Sequence, residues 1–238
     1  MTMPRPIAAS RPVSSPQTGP HHLLPHLVAK HAAHAFRKPP AAYSLAAFRS
    51  FLGAWDRRAA PILDIGCGTG ESTSTLARLE PQRLVLGIDQ SAARLARAIA
   101  RAQQPANALF LRADMVDFWT LLASEGIAPH AQYLLYPNPW PKPRQVMRRW
   151  PAHPIFPCVL ALGGYIECRS NWQVYVEEFA LAANLLTGRV PRVESFTPDA
   201  PLTLFERKYC ASGHLLYRAS LAAPALNPAA PALNPAAP

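Results

Sequence analysis

From Pro61 onward the chain alternates between short apolar runs and amphipathic stretches, and this limits its possible folds more than any other feature. "PILDIG" precedes a glycine loop and the helical pattern "ESTSTLARL". "RLVLGID" precedes "SAARLARAIARAQ", and "NALFLRAD" precedes "VDFWTLLASEG". "AQYLLYP" follows, then "GGYIECR" and the helical "NWQVYVEEFALAANLL". "TLFERKY" and "HLLYRAS" are two further strand candidates. In the second helix Leu95, Ile99 and Ala102 are expected on the inner face, with Arg94, Arg97 and Arg101 elsewhere. Strands alternating with helices predict an α/β fold with a doubly wound, mostly parallel sheet and helices on both faces. Such sheets bind ligands at the C-terminal ends of their strands.

The flanks differ in composition. Residues 1–20, rich in Pro, Ser and Arg, are expected to form a disordered N-terminal tail, and 21–60 a helical extension. In that extension "AAYSLAAFRSFLGAW" reads as a helix with Tyr43, Ala47, Phe51 and Trp55 near one face. His21, His22, His26, His31 and His34 crowd its start, but no carboxylate or Cys accompanies them at ligand spacing, so no metal site is expected. The α/β domain is expected over 61–219. Residues 220–238 are expected to be a second disordered tail, since "PALNPAA" at 224–230 and 231–237 cannot build a core. Cys67, Cys158, Cys168 and Cys210 show no CxxC spacing and read as buried thiols of a reducing cytoplasm. No signal peptide is expected, and no apolar run approaches the ~20 residues of a membrane span. The formal net charge of +10 favours a polyanionic partner, a nucleic acid or an anionic membrane surface.

"DIGCGTGES" stands at the end of the first strand, with Gly66, Gly68 and Gly70 in a GxGxG pattern. About 20 residues on, Asp89 ends the second strand, where an acid can hydrogen-bond ribose hydroxyls. A dinucleotide fingerprint would need glycine at position 71, and Glu71 stands there. A glutamate at that helix start would also repel a pyrophosphate. The acidic loop suits a cationic cofactor without phosphate, such as S-adenosylmethionine. The combination resembles the Rossmann-like class I methyltransferases. The resemblance implies Asp64 near the methionine end of the cofactor, Asp89 at the ribose and Asp114 near the adenine edge. Asp114 also reads as a plain helix N-cap.

"YLLYPNPWPKPRQVMRRW" follows the fourth strand, where class I methyltransferases place acceptor chemistry. Pro137 and Pro139 stiffen the turn and remove N–H donors, projecting Asn138 towards the cofactor methyl. Trp140 shapes the pocket, stacks on a base or packs in the core. Lys142, Arg144, Arg148 and Arg149 suit phosphates, or form a solvated face. The segment is similar to the Phe-Pro-Asp-Pro-Trp-Pro-Lys motif of the tRNA (guanine-N7)-methyltransferases. "GTGES", "SNWQVYVEEF" and "TLFERKYCASGH" resemble three further segments of that family, in order, over about 61–218.

The resemblance implies that Asp64, Asp89 and Asp114 hold S-adenosylmethionine and that Asn138 stands in the place of a catalytic aspartate. It implies that Lys142, Asn171, Thr203, Leu204, Phe205 and Glu206 contact tRNA. Two family aspartates, at 138 and 171, are asparagines here. Guanine N7 carries a lone pair and no proton, so methylation there needs alignment and no general base; alignment accounts for ~7–11 kcal/mol in favourable cases. The alternatives are an exocyclic-amino N-methyltransferase built on Asn-Pro-Trp, or a tRNA-binding homologue with weakened catalysis. Neither the tRNA position modified nor the oligomeric state is written in the sequence.

Overall fold

The computed structural model describes residues 9–101 and 103–222, and two helices precede its sheet. They are α1 (Leu24–Ala32) and α2 (Ala42–Ala54). The alternation then runs β1 (Ile62–Ile65), α3 (Glu71–Leu79), β2 (Val85–Asp89), α4 (Ala92–Ile99), β3 (Ala108–Arg112), α5 (Met115–Ser124) and β4 (Ala131–Leu135). Two 3-10 turns, Pro143–Arg148 and Trp150–Ala152, lead to α6 (Phe156–Ala161) and β5 (Tyr165–Ser170). The domain ends with α7 (Gln173–Thr187), β6 (Arg192–Phe196), α8 (Leu204–Ala211) and β7 (Leu216–Leu221).

The seven strands lie in the order β3-β2-β1-β4-β5-β7-β6, with β7 antiparallel to both its neighbours and the rest parallel. Strand order reverses between β1 and β4, the switch point where a doubly wound sheet opens a crevice. Register aligns the strand ends there: Ile65 lies opposite Ile88, and Leu135 opposite Arg169. Alternate residues of β1 serve opposite faces. Leu63 and Ile65 join the larger core with Phe48, Phe118 and Phe179, while Ile62 joins the smaller one with Leu76 and Val85. Leu24, Val28 and Phe51 belong to the larger core too, so the helical extension is packed on the domain.

Four expectations are corrected. "TLFERKY" is α8 and its cap: Thr203 accepts from the Glu206 N–H at 2.9 Å, the Thr-x-x-Glu signature of a helix start. The missing strand is β6, an edge strand whose mostly exposed residues gave it no apolar signal. On α4 the buried residues are Leu95 and Ala98, and Ile99 is 61% exposed; Ala102 lies outside the described residues. On α2 the inner face carries Ser44, Ala47, Phe48 and Phe51. Tyr43 sits at its margin under the Arg112 guanidinium, and Trp55 stacks on Phe51.

Within the expected disordered tail, residues 10–19 lie on the domain. Ser10 N–H donates to Ser212 Oγ at 2.9 Å, Ser15 Oγ to the Pro141 carbonyl at 2.6 Å, and Gln17 Nε2 to Glu178 Oε1 at 2.7 Å. The polar residues that suggested disorder are the ones that find partners. The C-terminal "PALNPAA" repeat lies outside the described residues. All four cysteines are free thiols; Cys67 and Cys168 are buried as expected, whereas Cys158 and Cys210 are only partly buried. Among the described residues no three His, Cys, Asp or Glu side chains converge as metal ligands, and no helix is long and apolar enough to cross a membrane.

Candidate active site

After β1 the chain turns through Gly66 (φ +75°) and Gly68 (φ +59°). Side chains are disfavoured in this left-handed conformation. A Cβ at either would meet no atom within 4 Å, so the space above the loop is open. Gly66 and Cys67 N–H groups both donate to the Ile88 carbonyl, at 2.8 and 3.1 Å, which ties the loop to β2. Gly70 has a different role. It caps α3, and a Cβ there would run into Phe110 and Ala98. It seats the helix on β3 and is absent from the cleft wall.

Three expected acids line the cleft. Asp64 is buried and accepts from Ser72 Oγ and Thr73 Oγ1, both at 2.6 Å on Oδ2. Burial pushes its carboxyl up to about 6, and the two hydroxyls only partly offset this. Asp89 accepts from Gly68 N–H at 2.9 Å and Ser91 N–H at 2.8 Å, and Arg94 Nη2 approaches at 3.3 Å. Asp114 is the helix cap it was expected to be, and it stands on the cleft wall. Oδ1 caps α5 through Val116 N–H at 2.8 Å. Its Oδ2 pairs with Lys38 at 3.1 Å, from the "HAFRKPP" end of the extension. Glu71 pairs with Arg207 through Oε1, and its Oε2 has no partner among the described residues. This wall suits a cationic ligand and opposes a pyrophosphate.

The acceptor loop leaves β4 at Leu135. Tyr136 (φ +52°) and Trp140 (φ +45°) both adopt the left-handed conformation around Pro-Asn-Pro. Such residues cost ~1–3 kcal/mol each and persist where their surroundings hold them. Tyr136 N–H donates to the Arg169 carbonyl at 2.8 Å, and its hydroxyl to Glu206 Oε1 at 2.8 Å. Trp140's carbonyl accepts from Arg149 Nε at 3.2 Å and Nη2 at 3.0 Å. Asn138 is exposed on the cleft wall, and its Oδ1 accepts from the Trp140 N–H at 3.3 Å.

The expected basic grip divides. Lys142, Arg144 and Arg148 are exposed, and the Arg148 guanidinium lies 4.7 Å from the Trp140 ring centre. Arg149 is fully buried, paired with Glu178 at 2.6 Å and stacked on Trp172. It has no face for a phosphate, and its assignment to the grip is corrected. The α8 segment divides in the same way. Leu204 and Phe205 are exposed in the cleft, and Thr203 lines it too while capping the helix. Glu206 is fully buried between Tyr136 and Arg169 and absent from the cleft wall. Asn171 lines the cleft with its Nδ2 3.1 Å from His214 Nδ1.

The cleft measures about 1150 Å³ and joins the acidic loop to Asn138. Arg94 and Arg97 of α4 also line it, as do Arg148 and Lys208. The sequence reading missed Arg97 and Lys208 here, although an α4 with arginines three apart and no acid carried the signal. Tyr136 and Lys38 were missed too, and nothing local distinguishes either of them.

A family model described as "Putative methyltransferase" matches residues 58–219, more than half of the chain. A protein of Acidovorax sp. (strain JS42) named tRNA (guanine-N(7)-)-methyltransferase is 31% identical, the match covering 68% of this chain and 67% of that one. A protein of the same name from Alkalilimnicola ehrlichii is 30% identical over 78% of this chain and 80% of its own length. Among solved structures, the 16S rRNA methyltransferase KamB superposes with a TM-score of 0.54 at 18% identity, covering 80% of this chain and 98% of that one. An antibiotic-related methyltransferase gives 0.52 at 15% identity, over 78% and 96%. Those two likenesses are of fold alone. Family match, fold and acidic cleft agree: the chain belongs to this methyltransferase family and is a class I, S-adenosylmethionine-dependent methyltransferase.

Proposed function

We propose that the protein methylates N7 of a guanine in tRNA. One observation carries this most directly: a single cleft joins the acidic glycine loop, the Pro-Asn-Pro-Trp loop and cationic side chains. When bound, S-adenosylmethionine supplies a methyl group activated by its sulfonium. Asp64, Asp89 and Asp114 hold the cationic and hydroxylic parts of such a cofactor. Glu71 adds an unpartnered carboxylate oxygen beside them. The curated relatives at about 30% identity bear a tRNA guanine-N7 name, which supports the substrate.

N7 presents a lone pair and carries no proton, so no residue has to remove one. The protein's task is to fix the guanine in line with the methyl group and exclude water. Asn138 lines the cleft from a strained, proline-locked turn, which limits its freedom before the base arrives. Arg97, Arg148 and Lys208, which line the cleft, suit contact with the RNA backbone. Lys142 and Arg144 extend that grip along the exposed turn. Such a partner places the protein in the cytoplasm.

Asn138 Oδ1 is engaged by the Trp140 N–H. That contact occupies one of the oxygen's two lone pairs, and it is the guanine-N7 name of the relatives that favours N7 over the amino-methylating alternative. Incubation with labelled S-adenosylmethionine and bulk tRNA, followed by digestion to nucleosides, tests the reading. Labelled 7-methylguanosine is expected. A labelled N-methylamino nucleoside overturns the N7 assignment, and bound but unlabelled tRNA overturns catalysis.

A further inference from the structure

We infer that the segment 10–19 is a strap that holds the acceptor loop in shape, with Gln17 as its positioning residue. The loop cannot hold itself. Four of its residues, Pro137, Pro139, Pro141 and Pro143, lack a backbone N–H. Its carbonyls must therefore find donors elsewhere, and two neighbouring ones find them through this segment.

Ser15 Oγ donates to the Pro141 carbonyl at 2.6 Å. One residue back, the Trp140 carbonyl is held by the Arg149 guanidinium, and Gln17 holds that guanidinium in turn. Gln17 Oε1 accepts from both Nη1 and Nη2 of Arg149 at 3.2 Å. Its Nε2 donates to Glu178 Oε1 at 2.7 Å and to the Gly19 carbonyl at 2.8 Å. Gln17 thus joins both members of a fully buried ion pair, meeting acid with N–H and base with carbonyl. A charged residue in its place would repel one of the two.

The other end of the strap reaches the far side of the cleft. Ser10 N–H donates to Ser212 Oγ at 2.9 Å, and its carbonyl lies 3.0 Å from His214 Nε2. With that nitrogen donating, Nδ1 accepts from Asn171. The strap therefore links His214, the partner of Asn171, to the Trp140–Pro141 turn. It lies outside residues 58–219, the part that matches the family model.

The test uses the full chain with Gln17→Met, which keeps length and removes all four side-chain hydrogen bonds of Gln17, alone and with Ser15→Ala. Hydrogen exchange is read by mass spectrometry, beside S-adenosylhomocysteine affinity, melting temperature and methyl-transfer kcat and KM. Exchange over residues 136–149 is expected to rise about tenfold, the scale of one charge-assisted hydrogen bond. Exchange over β1–β3 and S-adenosylhomocysteine affinity should hold, and kcat should fall more than KM changes. Unchanged exchange over 136–149 overturns the inference. A uniform rise across the sheet with a lowered melting temperature also overturns it, by making the strap a general stabiliser. Only the kcat arm rests on the methyl-transfer reading. A wild-type protein that fails to methylate tRNA sinks that reading and leaves the exchange result to decide the strap.

Discussion

Tyr136 and Glu206 are joined beneath the cleft by a hydrogen bond of 2.8 Å, from the phenol to carboxylate Oε1. Arg169 Nη1 donates to the same oxygen at 2.8 Å, and its Nε to Glu167 at 2.6 Å. Tyr136 begins the acceptor loop and Glu206 lies in the first turn of α8. The acceptor motif and the Thr203–Glu206 motif, far apart in sequence, are thus one mechanical unit. Burial and the Glu206 charge push the Tyr136 phenol well above its ordinary range, so it stays a donor at every working pH.

The unit predicts an ordering of variants. Tyr136→Phe removes one hydrogen bond to a charged group and should cost ~1.5–3 kcal/mol. Glu206→Ala also removes a charge from Arg169, and breaking a buried pair costs about 3–5 kcal/mol. Urea denaturation should show Glu206→Ala as the more destabilised, with Leu204→Ala, at an exposed site, nearly neutral. Equal effects at 204 and 206 would return Glu206 to a surface contact.

The alternation after Pro61 made the parallel part of the fold legible, because each buried strand reads as an apolar run and each helix shows its own period. It could not show β6, whose edge position leaves its side chains largely in solvent. The acids of the cofactor half were legible because strand ends and glycine loops leave local signatures. The acceptor half was legible by composition and misread by direction. "RQVMRRW" shows three arginines, but only the 3-10 geometry decides that Arg148 faces out while Arg149 turns in to Glu178. Lys38, Gln17 and Glu206 draw their roles from partners 76, 161 and 70 residues away. No window of sequence contains such a relationship.

Arg148 and Arg149 should therefore separate cleanly. Arg148→Ala should leave stability nearly unchanged and reduce the salt slope of tRNA binding by ~0.7–0.9, the share of one phosphate contact. Arg149→Ala should cost about 3–5 kcal/mol by stranding Glu178 in the core. Filter binding of tRNA across a salt series, with melting curves for both variants, checks the pair. A wild-type melting curve for Arg149→Ala contradicts its buried role.

Asp64 should make stability and cofactor affinity respond oppositely to pH. Its carboxyl rises to about 6 in the folded protein, above its ordinary value of 3.8. Between those values the folded state holds a proton that the unfolded state has released, so stability falls as pH rises from about 4 to about 6 and then levels. The drop is on the order of 3 kcal/mol. S-adenosylhomocysteine, with its cationic amino group, should bind the ionised carboxylate, so affinity should rise over the same interval and level above it. Asp64→Asn keeps an acceptor for Ser72 and Thr73. It should stabilise the ligand-free protein at pH 8 and flatten the pH dependence of binding. Calorimetric titrations at pH 5, 6, 7 and 8 decide this, and a pH profile identical in wild type and variant removes Asp64 from cofactor binding.

Asn138→Asp tests the aspartate-to-asparagine departure that the motif resemblance implies at this position. The amide oxygen at this position already accepts the Trp140 N–H, and the rest of the amide is an NH₂ donor where a carboxylate would have a second acceptor oxygen. An aspartate can keep the turn with one oxygen and offer the other to a guanine N–H. It also sets a negative charge beside a base that becomes cationic on N7 methylation. Charge-assisted hydrogen bonds exceed neutral ones by ~1 kcal/mol, so kcat/KM for 7-methylguanosine formation should rise about fivefold. S-adenosylhomocysteine affinity should be unchanged, because Asp64, Asp89 and Asp114 are untouched. A fall in 7-methylguanosine with intact cofactor binding would mean that the NH₂ donor itself meets the acceptor, through guanine O6 or another carbonyl, and that the amide at 138 defines the base this protein takes.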